Sequence, residues 1–142
     1  LRCAEKKAGK VKWKQTDNKK GFLRLERYVQ NIPGGFHCCA EDPENGYPFA
    51  YVSDRFLEIL GWEREEFAAR FDNRYTALIH PDDLAAGLRY RNAENSATYA
   101  KNGDSIFRLL GKNGYRWVTN AANQVEWYGK GYIVGTITDI TP

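Results

Sequence analysis

His37-Cys38-Cys39 and His80-Pro81-Asp82-Asp83 hold the side chains best suited to chemistry in this 142-residue chain. Imidazole and thiolate are good metal ligands, and a structural zinc site takes four of them. On an extended strand neighbouring side chains point to opposite faces, so only His37 and Cys39 share one. His80 would make a third ligand and no fourth is evident. The sequence therefore assigns no metal, and Cys38 and Cys39 read as strand residues. His80 with Asp82 or Asp83 suits acid–base work. A small α+β pocket enzyme built on those residues is the alternative function. Against it, Asp82 and Asp83 stand where carboxylates complement the start of a helix. The chain also has no G-x-S-x-G, phosphate loop or H-E-x-x-H stretch. The sequence is read as having no catalytic residue and no turnover of its own.

The elements that position these residues follow from pattern. Phe22, Leu25, Val29 and Ile32 recur at helical spacing, with Tyr28 beside them. This predicts an amphipathic helix over 21–32, closed by Pro33-Gly34-Gly35. Residues 1–20 show no clear period and predict a loose or partly helical leader. Strands are expected at 36–41 and 48–52, joined by a turn bearing Pro, Asn and Gly. Ser53 is placed to cap a helix over 54–60 that stops at Gly61, and another helix is expected over 63–70. Residues 71–83 read as mostly irregular. A further helix is expected from Pro81 to about Asn95, with Leu84 and Leu88 on its apolar line. Asn113-Gly114 marks a tight hairpin turn, and a last strand follows Gly129-Lys130-Gly131. The order of two strands, several short helices and three strands predicts an α+β domain. Its short helices cover one face of a curved five-stranded antiparallel sheet, and the amphipathic helix precedes it. The chain divides into a leader (1–20), the helix (21–33) and the domain (34–142).

Composition bounds the function. With 42% hydrophobic, 14% aromatic and 27% charged residues the chain is globular, and long enough to bury a core without disulfides or metal. Cys3, Cys38 and Cys39 are odd in number and irregularly spaced, so they form no disulfide framework and point to a reducing cytoplasm. No apolar run approaches the ~18 residues of a membrane span. Residues 1–20 carry eight Lys/Arg against two acids, and the other 122 residues carry 13 against 16. The domain itself has no excess of positive charge for phosphate, and nucleic acid is not an expected partner. A basic stretch such as 1–20 reads as a solvated linker or juxtamembrane segment. The chain has no Met and opens at Leu1-Arg2-Cys3, so it is expected to be a piece of a longer protein.

A series of short motifs falls in a recognisable order. Asn31-Ile32-Pro33-Gly34-Gly35 precedes the first strand. Tyr51-Val52-Ser53 opens the helix closed by Leu60-Gly61-Trp62, and Leu78-Ile79-His80-Pro81-Asp82-Asp83 follows. Phe107-Arg108-Leu109 leads to Asn113-Gly114-Tyr115-Arg116-Trp117-Val118, and Gly135 comes before Asp139-Ile140-Thr141. Over residues 22–142 the chain resembles a PAS domain of the bacterial sensor type. It departs from that pattern at Ser53, where Asn is usual, and at Glu63, where Ser or Thr is frequent.

The resemblance implies sensing: a small ligand held between sheet and helices, or dimerisation, biases an output domain joined after residue 142. Such outputs are commonly GGDEF-type diguanylate cyclases, phosphodiesterases or histidine kinases of two-component systems. Asp139, Ile140 and Thr141 match the family's exit motif and are the expected signal relay. The stripe Phe22, Leu25, Val29 and Ile32 is the expected homodimer seam, with the sheet's outer face as the other docking surface. Haem is not expected, because the helix from Pro81 to Asn95 has no His. Flavin is not expected either, because the G-x-N-C-R-F-L-Q stretch is absent and Ile137 stands where a Gln would meet the ring. By the strand parity of flavin-binding relatives, a ligand pocket would be lined by Phe107, Leu109, Trp117, Thr119, Ala121, Ile133, Gly135 and Ile137. A filled core without ligand remains the other reading. The identity of any ligand and of the output is not legible.

Overall fold

The computed structural model describes residues 4–7, 10–13 and 26–142. The first two segments form β1 (Ala4–Lys7) and β2 (Lys10–Trp13), paired antiparallel. The leader was expected to be loose or partly helical, and its described residues pair instead as two short strands. Alternation such as Lys10-Val11-Lys12-Trp13 suits a strand. Helix α1 spans 26–30. Phe22, Leu25 and the rest of 21–25 lie outside the described residues, and at the other end of the expected span Asn31 and Ile32 are turn rather than helix. Val29 and Ile32 are half-buried, and Tyr28 is exposed.

A five-stranded sheet follows, built from β3 (Gly35–Ala40), β4 (Phe49–Val52), β5 (Ser105–Gly111), β6 (Gly114–Trp127) and β7 (Lys130–Asp139). Its order is β4-β3-β7-β6-β5, and every neighbouring pair is antiparallel. The last strand thus runs between the first strand of the sheet and the long β6. Between β4 and β5 come α2 (Asp54–Leu60), α3 (Arg64–Arg70), α4 (Tyr75–Leu78), α5 (Leu84–Gly87) and α6 (Ser96–Asn102). One main core joins them to the sheet's inner face, around Phe56, Leu78, Phe107, Leu109, Val118 and Ile137. A smaller cluster on the other face centres on Cys38 and Tyr132.

Local chemistry explains the boundaries. Ser53 Oγ accepts from Phe56 N (3.2 Å), capping α2, and from Phe36 N (3.0 Å), which ties the cap to β3. Gly61 ends α2 at φ +81°, a left-handed value that suits glycine. Glu63 caps α3 in a reciprocal box with Glu66, so the departure from Ser or Thr leaves the helix start intact.

Four expectations are corrected. The helix expected from Pro81 to Asn95 is instead a 3-10 turn (Pro81–Asp83) and the four-residue α5. Beyond it the Arg91 backbone is drawn onto β6, donating to Ala122 O (2.8 Å) and accepting from Gln124 N (2.7 Å). Asn92 and Asn95 also accept from each other's local N–H groups, which competes with helix. Residues 71–83, expected to be mostly irregular, hold the four-residue helix α4 as well as the 3-10 turn. The β5–β6 hairpin turns on Lys112-Asn113, since Gly111 pairs with Gly114, and Gly114 takes φ +120°. On β6, finally, Val118, Asn120 and Ala122 are buried, whereas Trp117, Thr119 and Ala121 lie on the other face. Paired residue numbers add to an odd sum in both hairpins: Phe107 faces Val118 and Gly135 faces Ala122. Odd inward residues on β5 and β7 therefore meet even ones on β6.

Candidate functional site

Of the residues expected to line a pocket, Phe107, Leu109, Ile133, Gly135 and Ile137 do reach the buried face. Most of the space above them is filled. Phe49, Phe56, Phe67 and Tyr75 pack with ring centroids 5.3–6.0 Å apart, a separation at which tilted aromatic pairs attract. What remains is a cavity of about 10 Å³ beside His37, Cys39, Tyr75, Leu88, Asn120 and Ile133. That is the room of one water-sized group.

The polar end of this cavity is assembled from three elements. β3 turns His37 inward opposite Gly135 of β7, β6 supplies Asn120, and α4 supplies Tyr75. His37 Nε2 lies 3.0 Å from Asn120 Oδ1, and both side chains are fully buried. Gly135 makes the pair sterically feasible. A Cβ there would stand 2.7 Å from His37 Nε2 and 2.8 Å from Asn120 Oδ1. Burial drives the His37 pKa down to about 4, against the opposing pull of the Asn120 hydrogen bond. The ring is thus neutral at pH 7. With Nε2–H donated to Asn120 Oδ1, Nδ1 is left as an acceptor. Among the described residues neither His37 Nδ1 nor Tyr75 Oη has a partner, although both are buried. Burial also pushes the Cys39 thiol and the Tyr75 phenol up, so neither ionises near neutrality.

The sequence singled out His37 only as a metal ligand and passed over Tyr75 and Asn120. The signal that would have found Asn120 is the two-residue hairpin turn, which places even positions of β6 inward. Cys39 shares the inner face with His37, while Cys38 packs on the outer one. Among the described residues no group of three His, Cys, Asp or Glu could hold a metal ion.

His80, Asp82 and Asp83 serve the fold instead. His80 Nδ1 accepts from Asp82 N (3.0 Å), and its ring packs on Tyr115 with centroids 4.6 Å apart. Asp83 accepts from Arg108 N, Nε and Nη2 at 2.8–3.0 Å, which fastens the 3-10 turn to β5. The Arg108 guanidinium lies over Trp117, 4.8 Å from the ring centroid. None of the three borders the interior cavity.

The two ends of the domain are both tied down. Gln30 of α1 donates from Nε2 to Tyr51 Oη (2.8 Å) and accepts from Asp54 N (3.0 Å) at the start of α2. An open groove of about 330 Å³ lies beside this junction, along Gln30, Ile32–Gly34 and α2. At the other end, Asp139 accepts from Arg116 Nη2 (2.6 Å) and from Thr141 N (3.0 Å). Trp117 N donates to Thr141 Oγ1 (2.8 Å), and Ile140 N donates to Trp117 O (2.8 Å). Partial burial works to raise the Asp139 carboxyl, but the hydrogen bonds from Arg116 and Thr141 outweigh it and hold the group below its usual range. The expected relay residues Asp139, Ile140 and Thr141 thus form one latch on β6. The outer face around the latch exposes Ile106, Tyr115, Trp117 and Ile140.

Residues 49–137 match the family model described as "PAS fold". In structure the chain is similar to a PAS domain from a two-component sensor histidine kinase, with a TM-score of 0.59 and 13% identity over 86% of this chain and 98% of that one. It is also similar to the PAS domain of an HTR-like protein from Haloarcula marismortui (TM-score 0.57, 17% identity, 87% of this chain and 95% of that one). A third likeness is to a Rhodobacter sphaeroides LOV protein (TM-score 0.56, 13% identity, 86% of this chain and 68% of that one). No curated protein matches in sequence.

Proposed function

Because the chain belongs to the PAS fold family, we propose that it works as the regulatory module of a larger bacterial signalling protein. It converts a change in its interior, or in its contact with a second copy, into a bias on an output domain joined after residue 142. The course of β7 is the observation that supports this. Ile133 and Gly135, in its middle, meet the interior cavity and the His37–Asn120 pair. Its end carries the Asp139–Thr141 latch to Arg116 and Trp117. One strand therefore joins the most polar point of the core to the place where the chain departs.

A histidine kinase or a diguanylate cyclase fits as the output. Homodimerisation through α1, with Phe22, Leu25, Val29 and Ile32 as the seam, fits the half-buried state of Val29 and Ile32. The exposed outer-face aromatics are the other seam. Among the described residues no helix is long and apolar enough to cross a membrane. The proposed setting is the cytoplasm, including the cytoplasmic side of an anchored sensor.

Amide hydrogen exchange on the full chain tests the proposal. Gly135→Ala perturbs the interior without touching either end. Faster exchange at Trp117, Ile140 and Thr141 is expected, with little change in α3. Unchanged protection at those three amides would count against transmission along β7. Native mass spectrometry of the chain and of Val29→Glu reads the seam: a dimer lost in the variant supports α1, and one retained moves the seam to the outer face.

A further inference from the structure

β6 outruns the strand beside it. β5 pairs with it only as far as Asn120, while β7 follows it to Trp127. Beyond Asn120 one side of β6 is therefore an edge, and the alternation of an antiparallel ladder says which groups face it. Glu41 N donates to Gly131 O, so the odd residues of β7 turn their backbone groups to β3 and the even ones to β6. Those even residues pair with odd ones on β6, which leaves Ala122, Gln124 and Glu126 turned to the edge. Ala122 N donates to Tyr99 Oη, and Ala122 O and Gln124 N bond the Arg91 backbone. Gln124 O, Glu126 N and Glu126 O have no partner among the described residues. Arg91, which bridges to Asn123 in the parallel sense, shows how an added strand sits. The pair of groups it takes, Ala122 O and Gln124 N, repeats one step on as Gln124 O and Glu126 N. The outer edges of β4 and β5 are closed by contrast. Asn73 bonds Phe49 at both N and O, Arg64 donates to Val52 O, His80 N donates to Arg108 O, and Trp62 Nε1 donates to Leu110 O. Folded proteins commonly block such edges against strand addition.

The side chains along the open stretch alternate in character. Gln124 and Glu126 share one exposed face, where Gln124 Nε2 donates to the Glu41 carboxylate. Val125 and Trp127 share the other, and Trp127 packs on Tyr128 with centroids 5.3 Å apart. A matching strand is basic on one face and apolar on the other. β2 has that alternation in its sequence, Lys10-Val11-Lys12-Trp13, within a stretch of eight Lys/Arg against two acids. β1 and β2 form a two-stranded sheet separate from the five-stranded one, and a ribbon of two strands is marginal in water. We propose that β2 of a second copy adds to the β6 edge at Gln124–Glu126, and that the two copies exchange their ribbons symmetrically. Within one chain the ribbon stands apart from this edge, which leaves the edge to the ribbon of another. The contact is distinct from the α1 and outer-face seams and needs neither.

Amide exchange at Glu126, followed in the full chain over a dilution series, tests the exchange of ribbons. The Glu126 N–H is bonded only when the edge is occupied, so its protection should rise with protein concentration and vanish on dilution. Glu126→Pro removes that donor at a position where the missing N–H costs the β6–β7 pairing nothing. Self-association read by sedimentation should then weaken by about tenfold. Glu126→Lys keeps the donor but reverses the charge. It should weaken association too, with recovery when Lys10→Glu and Lys12→Glu are added. Protection of Glu126 that does not depend on concentration would overturn the proposal, because the added strand would then belong to the same chain. Self-association with an unprotected Glu126 amide would overturn it as well and assign the dimer to one of the other seams. So would a Glu126 amide unprotected at every concentration in a chain that stays monomeric. The exchange measurement on the wild-type chain decides between these whether or not the proline variant folds.

Discussion

Acidification should weaken this domain through one imidazole, and the size of the effect follows from the burial of His37. An ordinary histidine takes up its proton near 6.5, and burial holds the folded-state value of His37 at about 4. The unfolded chain therefore binds more protons than the folded one between these two values, and stability must fall as pH falls through that window. Above about pH 6.5 the residue contributes no pH dependence. Below it, each unit removes up to roughly 1.4 kcal/mol. Between pH 7 and pH 5 the loss is about 2 kcal/mol, and by pH 4 it approaches 3 kcal/mol. The other ionisable neighbours on the cavity, Cys39, Tyr47 and Tyr75, are all pushed upward, away from this range. The carboxylates held low by their partners, Glu66, Asp83 and Asp139, give up their contribution only as pH falls below about 4. Urea unfolding followed by tryptophan fluorescence at pH 7 and pH 5 measures the difference. His37→Gln keeps an amide beside Asn120 but cannot titrate, and its stability should be nearly flat over this interval. An equal slope in both proteins would refute the argument. So would an imidazole that protonates above pH 5.5 in a ¹⁵N titration of the folded wild-type chain, a measurement that does not depend on the variant folding.

Three further outcomes follow from particular contacts. Gly135→Ala drives a methyl into the His37–Asn120 pair, and an overpacking cost of about 1–3 kcal/mol is expected in urea unfolding. Ser53→Ala removes the acceptor shared by Phe36 N and Phe56 N. It should cost about 1–2 kcal/mol, with faster amide exchange at both residues, while Ser53→Asn should retain most of the cap. Gln30→Ala cuts both hydrogen bonds from α1 to the domain. Faster exchange over 26–32 with an unchanged thermal midpoint is expected; a large fall in the midpoint would mean that α1 is part of the core.

Where local chemistry decides the structure, the sequence showed it. The Ser53 cap, the Gly61 stop and the strand at His37 each depend on a few adjacent residues. The order of strands and helices follows from them, and with it the fold class. What was missed depended on contacts far along the chain. Residues 88–95 carry a helical pattern, but Arg91 bonds to β6 some thirty residues away, and no local rule announces that. The inward set on β6 was legible in principle. Once Gly111 faces Gly114 across a two-residue turn, Val118 and Asn120 must face the core, and borrowing the parity of flavin-binding relatives overrode this arithmetic. The site itself was obscured by a choice of chemistry. A histidine beside two cysteines suggests metal, whereas here its side chain hydrogen-bonds an amide from β6 and packs on the Tyr75 ring of α4, and neither forms a motif with it.

A nearly filled core also bears on how such a domain could respond. A cavity of about 10 Å³ admits one hydroxyl and little else, so a ligand with several carbons needs Leu88 to move off the core. Leu88 is half-buried, so exposing the rest of its side chain costs roughly 1 kcal/mol, which places the opened form at about 15% of molecules. Apparent affinity is reduced by that same fraction. The reduction is also what couples the ligand to the fold, because a ligand shifts an equilibrium only by binding one of its states better than the other. Leu88 closes the short α5, whose Gly87 packs tightly on Ile79, and Ile79 bridges to Leu109 on β5. Movement at Leu88 would therefore reach the sheet through Ile79 as well as through β7. A version of this domain with a large preformed pocket would bind more tightly and, lacking a closed state to displace, would signal less.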